Sequence, residues 1–580
     1  MLLHTKKQDK IPQELLMLRL CTLLILLLLA VIPDRAGAQD ALVNSEVTTT
    51  NWEPESTPPK REFRGVWIAT VFNTDYPKSP SPMRVAIKEQ YKNLIAEFKR
   101  LGFNAVVVQV RPAGDAFYPS QLVPWSKFLT GKQGQPPIPS EFDPLEFMVE
   151  ETHRMGMEFH AWMNPYRATV NLDTAGLHPT HVFNQHRDWL LTYGTRMYLN
   201  PGVPEVRKHI AEVVGEVVDN YDVDGIHFDD YFYPYKIKDV PFPDSATYYF
   251  YGQAFKNIDD WRRTNTDNLI MGISQRIRAS KPHVKFGISP FGVWSNRSQN
   301  TMGSETSASV TSYDDLYADG IKWLKNGWID YIAPQLYWNI GFAAADYAEL
   351  VNWWSMRVKD QHLYIGQAAY KVGDNPEPKW QDPTEIPRQI AMNRNNIEVD
   401  GSIFYSAQSI KRNLLGLKDS LRTAFKAPAL VPQIDYQTGR VPKIPRFKKV
   451  RSKDGDVKLK WRPHKDDTYI KPAYYIVYRF NGSRVGDYED PRNILHVTSF
   501  LADAKKMVFM DRSAEAGKQY TYVVSAVNRQ HQEGRPTESQ PILKTERRVK
   551  KIKNRRVKKQ KDKRSKKEKK EDEATPDFRF

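Results

Sequence analysis

Apolar and polar positions fall into an alternation that begins at residue 62 and runs to about residue 425. Short runs rich in β-branched and aromatic residues alternate with longer stretches of helical period. The short runs predict strands at Phe63–Thr70, Asn104–Val110, Glu158–Met163, Gly225–Asp230, Lys285–Pro290, Asp330–Tyr337, Leu363–Ala369 and Ser402–Ala407. The longer stretches predict helices over 84–101, 143–156, 204–220, 246–280 with an interruption, 314–326, 344–359 and 384–396, and 411–425 closes the set. Residues 204–220 show the logic. Pro204 suits a first helical turn, where its missing N–H is no loss, and Val206, Ile210, Val213, Val214 and Val217 share one face.

Eight β–α units in succession predict an α/β fold, a (β/α)8 TIM barrel over residues 62–426. A doubly wound open sheet is the alternative. Against it, VFNTDYPKSP follows the first strand where such folds carry a glycine-rich phosphate loop. Pro428, Pro432, Pro442 and Pro445 mark residues 427–445 as a linker. From 446 to 543 the period becomes two, which predicts a small all-β domain. Its segment Gly517–Ala526 is similar to the late-strand corner of a fibronectin type III sandwich, with Tyr520 as the corner tyrosine and Trp461 as the core tryptophan.

Composition changes the picture mainly at the two ends. Lys6, Lys7, Lys10 and Arg19 precede an apolar run from Leu20 to Ile32, and Ala36-Gly37-Ala38 follows. Residues 1–38 therefore read as a secretory signal peptide, whose apolar core is too short to span a bilayer. The expected mature chain is exported and has no transmembrane span. The single cysteine, Cys21, lies within the leader, so no intramolecular disulfide and no cysteine metal cluster is possible. Residues 39–61 read as a Thr-, Glu- and Pro-rich linker. Residues 544–570 hold 17 Lys and Arg against three acids, a surplus of 14 out of the whole chain's net +17. The body is thus near neutral, and the high pI does not mark a nucleic-acid-binding fold. Residues 544–580 read as a disordered basic tail, either simply solvated or gripping an anionic envelope surface.

Barrel active sites sit at the C-terminal ends of the strands. Seven of these ends concentrate amides, carboxylates and aromatics: Arg111 and Asp115 after strand 2; Trp162, Asn164 and Tyr166 at strand 3; Asp229 and Asp230 at strand 4; Trp294 after strand 5; Gln335, Tyr337 and Trp338 at strand 6; Gln367 at strand 7; and Tyr405 at strand 8. Aromatic faces stack on sugar C–H surfaces, and amides and carboxylates bond hydroxyls, so the rim suits a polysaccharide. Period 2 divides strand 4 into two faces. Ile226 and Phe228 should meet the helix layer, which sends Asp229 into the barrel mouth, while Asp230, just beyond the strand, can turn either way. Two adjacent carboxylates push their pKa values apart, giving one acid and one anion for glycoside hydrolysis. A metal site from His160, His227 and Asp229 is the weaker reading. Histidines on barrel strands more often bond neighbouring layers, so no metal or cofactor is expected.

The segments FRGVWIAT, FNAVVVQVRPAGDAFYPS, GMEFHAWMNPYRA, YLNPGVPEVRKHI, DGIHFDDYFYP, GISPFGVW and DYIAPQLYW resemble, in consistent order over residues 60–430, the glycosyl-hydrolase-like 10 family of bacterial envelope proteins. The resemblance implies a (β/α)8 glycoside hydrolase acting on peptidoglycan, particularly glycan strands stripped of their stem peptides. The Glu pair that many retaining barrel enzymes carry on strands 4 and 7 is absent, since strand 7 reads IGQAAY. DGIHFDDY is loosely similar to the chitinase strand 4 pattern; Asp229 then falls on the carboxylate that supports an N-acetyl group, and Tyr231 on the catalytic Glu. Asp115, Glu305 and Asp314 stand as further candidates for a second carboxylate. The alternative function is a barrel that binds glycan without cleaving it, or a hydrolase of another polysaccharide.

Overall fold

The strands are near-continuous apolar runs, as strands buried on both faces must be. In the computed structural model they are β1 (Phe63–Ile68), β2 (Ala105–Arg111), β3 (Glu158–Met163), β4 (Gly225–Phe228), β5 (Lys285–Ile288), β6 (Tyr331–Ile332), β7 (His362–Gln367) and β8 (Val399–Phe404). All pair in parallel and close in the ring order β1-β8-β7-β6-β5-β4-β3-β2. This is the (β/α)8 TIM barrel that the alternation predicts. The structure describes residues 58–545 apart from 435–439, 454–455, 468–470 and 501–505. The signal-peptide reading, most of the 39–61 linker and nearly all of the basic tail lie outside the described residues. Among the described residues, no helix is long and apolar enough to cross a membrane.

Helices α1 (Arg84–Arg100), α2 (Pro144–Arg154), α3 (Pro204–Asn220), α4 (Ile258–Ser280), α5 (Gly320–Lys325), α6 (Tyr347–Ser355), α7 (Glu385–Asn395) and α8 (Leu417–Ala424) sheathe the ring. In α3, Val206, Ile210, Val213, Val214 and Val217 are all buried, on the predicted face. The break expected within 246–280 falls between a short helix, Ser245–Tyr251, and α4, whose N-cap Asn257 accepts from the N–H of Asp260 at 2.8 Å. Several elements are shorter than their patterns: the 344–359 helix keeps Tyr347–Ser355, and the 411–425 helix keeps Leu417–Ala424 after a separate turn of helix at Ala407–Arg412. The 314–326 helix keeps only Gly320–Lys325, because the Asp319 side chain caps it by accepting from the Lys322 N–H. The Asp330–Tyr337 strand keeps two ladder residues, because Pro334 has no N–H to donate. Gln335 beyond it still bridges to Phe291 and Gly366, which fixes its place at the rim.

The C-terminal domain is all-β, as predicted. Strands β9 (Arg446–Lys453), β10 (Asp456–Arg462) and β13 (Met507–Asp511) form one antiparallel sheet, and β12 (Ile494–Val497), β11 (Tyr474–Asn481), β14 (Gln519–Val527) and β15 (Gln540–Leu543) the other. Trp461 is buried between them with Tyr475 and Tyr522. Tyr520 accepts the Glu515 N–H at its hydroxyl, closing a corner. The first part of the 427–445 segment does not behave as a free tether. Leu430 exchanges backbone bonds with Lys60 and Glu62 at 2.8 and 2.9 Å and packs into the β-domain's core, while Val431 packs into the barrel interior. Its prolines exclude regular structure but not burial.

Candidate active site

Each strand of the barrel delivers its last residues to one end, and there the chain forms a cavity of about 400 Å³. Its walls come from Trp67 on β1, Trp162 on β3, Asp229, Asp230, Tyr231 and Tyr235 after β4, Ser289 and Phe291 after β5, Gln335, Tyr337 and Trp338 after β6, Tyr370 and Lys371 after β7, and Tyr405 after β8. Most of these side chains are aromatic, so the cleft is a set of flat apolar faces with two carboxylates set among them.

The strand 4 face argument accounts for Asp229. Ile226 and Phe228 lie in the layer between strands and helices. His227 points into the barrel, where it meets Trp67, Tyr331 and Ser289. Asp229 continues that inner face. Its Oδ2 accepts from the Asn164 amide, and its buried Oδ1 has no hydrogen-bond partner within the protein. Asp230 turns to the same cleft, where its Oδ2 accepts from the Tyr235 hydroxyl. It makes neither of the pairings with Arg111 or Arg167 that would have marked it as structural. Arg167 lies over the Tyr231 ring, 4.9 Å from its centroid.

Burial raises Asp229 to about 7, with the neighbouring Asp230 charge adding to it and Arg167 and Asn164 opposing. Burial also raises Asp230, but the Tyr235 hydroxyl and the Gln335 amide both donate to its anion. Both carboxyls are thus raised by burial and both accept hydrogen bonds, Asp229 from the Asn164 amide and the Tyr231 backbone N–H, Asp230 from Tyr235 and Gln335. Two buried carboxyls this close oppose a second negative charge in the cleft.

Of the remaining predicted side chains, Trp162, Gln335, Tyr337, Trp338 and Tyr405 line the cleft. Asn164 stands one step behind it, donating to Asp229. Five do not reach it. The Arg111 guanidinium is buried and donates to the carbonyls of Asn164 and Pro165 at 2.5 and 3.2 Å, so it shapes the turn after β3. Tyr166 is fully buried in the packing layer. Trp294 is turned away to pack on Tyr313 and Trp353 and donates to Asp319. Gln367 donates to Tyr347 on α6 at 3.0 Å. Asp115 bonds its own loop at Ala113 and borders a separate cavity of about 240 Å³; burial raises it to about 6. Glu305 pairs with Arg297, and Asp314 accepts from Ser295 and Thr311. Asp229 and Asp230 are thus the two carboxylates that line the cleft. Tyr235, Tyr370 and Lys371 escaped the strand-end reading because they lie several residues into loops. Trp67, Ser289 and Phe291 sit at or just beyond strand ends, where their neighbours drew attention instead.

Residues 62–382 match the model of the glycosyl hydrolase-like 10 family. The chain belongs to that family. It is 47% identical to Glycosyl hydrolase YngK of Bacillus subtilis (strain 168) over 482 residues, which are 82% of this chain and 92% of that one. It is 42% identical to Glycosyl hydrolase DigH of Escherichia coli (strain K12) over 366 residues, 59% of this chain and 82% of that one. Among solved structures, the PgaB (BpsB) glycoside hydrolase domain from Bordetella bronchiseptica is similar over 64% of this chain and all of that one, at 16% identity and a TM-score of 0.41.

Proposed function

We propose that this glycosyl hydrolase-like 10 protein is an exported enzyme that cleaves glycosidic bonds in denuded, N-acetylated peptidoglycan strands, with Asp229 as general acid and Asp230 as the partner anion. One observation carries the reading: Asp229 and Asp230 lie together in a single aromatic-walled cleft, and burial with the neighbouring Asp230 charge raises Asp229 to about 7. Protonated Asp229 delivers its proton to the leaving glycosidic oxygen. Asp230 stabilises the positive charge that grows at the anomeric carbon or on the substrate's own N-acetyl group as the bond breaks. Tyr235 and Gln335 keep that anion in place, and the surrounding rings hold the sugars by their C–H faces.

The leader reading supports export, and the family resemblance supports the peptidoglycan substrate. The β-domain, with three strands facing four, a buried tryptophan and a corner tyrosine, is read as fibronectin type III-like. The basic tail is read as a contact for an anionic envelope surface.

The test is product release from denuded glycan strands, intact sacculi and chitin. Soluble sugar fragments from denuded strands, lost in Asp229→Asn, support the assignment. Glycan binding without release from any of the three would establish the non-catalytic barrel instead. Release from chitin alone would move the substrate.

A further inference from the structure

The barrel interior carries a second polar system that the hydrolytic pair does not use. It begins at the floor, the end remote from the cleft. Glu158 opens β3 and is 1% exposed. Its oxygens lie 2.9 and 3.0 Å from Lys285 Nζ at the start of β5. His160 Nε2 is 3.0 Å from Oε2, and Nε2 of His531, from the β-domain, is 2.5 Å from Oε1. Burial opposes a charge on Glu158, yet Lys285 and these hydrogen bonds hold its carboxyl well below the usual carboxylate range. A carboxylate only accepts, so both imidazoles donate to it from Nε2.

At the other end, Trp67 and Ser289 line the cleft and both bond His227 Nε2, at 3.2 and 2.9 Å. An indole N–H can only donate, so His227 Nε2 accepts. Burial holds His227 neutral. Its proton is therefore on Nδ1, directed at the Tyr331 hydroxyl 2.9 Å away. Tyr331 accepts it and sends its own proton to His160 Nδ1 at 2.8 Å. Reasoning from the cleft and from the floor meets at His160 without conflict: Nδ1 accepts and Nε2 donates. From Trp67 down to Glu158 every hydrogen bond runs one way.

We propose that Glu158, buried at the opposite end of the barrel, is a positioning residue for the cleft, acting through the one-way relay His160–Tyr331–His227 to fix Trp67 and Ser289. The Ser289 hydroxyl turns its proton to His227 Nε2 or to the Phe228 carbonyl at 3.4 Å, so its lone pairs are left to the cleft, where they can receive a hydrogen bond from substrate. If His227 carried its proton on Nε2, two donors would oppose each other at Trp67, and this wall of the cleft would lose its anchor. This role rests on the hydrolase reading only for its effect on turnover, not for the relay itself.

Selective ¹⁵N-histidine labelling of the full chain reads the tautomers directly. The expected result is His227 protonated at Nδ1, and His160 carrying its proton at Nε2 with Nδ1 accepting from Tyr331. His227 protonated at Nε2 overturns the relay, whatever the enzyme's activity. Glu158→Gln offers His160 either a donor or an acceptor in place of a fixed acceptor. It should mix the His160 and His227 tautomers and raise KM on denuded glycan strands by about two- to tenfold, the equivalent of one hydrogen bond. Because that change also leaves Lys285 without its counter-charge, Glu158→Leu with Lys285→Met replaces the pair by apolar side chains and should give the same tautomer mixing in a folded chain. Unchanged His227 signals in the double variant overturn the proposal. Absence of turnover in wild type with the expected tautomers would remove the hydrolase reading alone.

Discussion

Asp229→Asn separates the cleft carboxylate's chemical role from its structural cost. Folding carries the Asp229 carboxyl from an ordinary 3.8 to about 7. The folded chain therefore keeps a proton that the unfolded chain has already released, and stability falls as pH rises between about 4 and 7. At about 1.4 kcal/mol per tenfold in proton affinity, the full loss above pH 7 is about 4 kcal/mol. The amide introduced by Asp229→Asn is neutral throughout and does not suffer it. Its nitrogen takes the place of the protonated Oδ1, which has no hydrogen-bond partner within the protein either, so the variant should match wild type at pH 4 and be more stable at pH 8.

Calorimetry at both pH values checks this. For the 473 described residues the unfolding entropy is about 1 kcal/mol/K, so the Tm difference between variant and wild type should swing by on the order of 4 °C. Turnover on denuded glycan should fall about a hundredfold or more at pH 6, the contribution of a general acid. In wild type it should decline as pH rises through about 7, where Asp229 loses its proton. Two results refute the reasoning. Parallel Tm curves from pH 4 to 8 would make Asp229 an ordinary ionised carboxylate. An active Asp229→Asn beside an inactive Asp230→Asn would place the acid one residue further along.

Three further perturbations have definite outcomes. Tyr235→Phe removes a donor from Asp230, so its carboxyl should rise further and the acidic limb of the pH–rate profile should move up by about one pH unit; an unmoved limb would exclude Asp230 as the working anion. His531→Ala removes a buried donor from Glu158 and should destabilise the chain by about 1–3 kcal/mol in denaturant unfolding, with His531→Gln, which keeps a terminal N–H, recovering part of it; equal midpoints for all three chains would show that the floor contact carries no stability. Truncation at Lys544 should leave turnover on soluble glycan unchanged and weaken sedimentation with anionic envelope material, most at low salt; equal sedimentation would assign the tail no surface role.

The alternation of the barrel was legible because buried parallel strands demand unbroken apolar runs and the covering helices demand one apolar face. Those two requirements located all eight strands and the eight helices around them. Lengths were less legible where a single residue overrides the pattern. Pro334 cuts a strand that its neighbours would have continued, and Asp319 starts a helix six residues later than the periodicity suggests. The junction was illegible altogether. The Glu158–His531 contact joins residues 373 apart in sequence, and a buried hydrogen bond leaves no periodic trace.

The site follows the same physics at finer grain. Strand period fixed the direction of Asp229, since Ile226 and Phe228 could only face the helices. It lost authority one residue later, and Asp230 reaches the cleft through a turn that the alternation does not govern. Further from the strands the rule fails in both directions. Trp294, past the end of β5, is drawn into the stack on Trp353, where its large apolar surface is buried in the helix layer. Tyr235, seven residues beyond β4, returns to hold Asp230. A barrel's chemistry can therefore be read from sequence as far as the strand extends. Beyond that point, competition between core packing and the cleft decides which aromatic faces the substrate. Here the core takes Trp294 and Tyr166, and the loops supply Tyr235 and Tyr370 in their place.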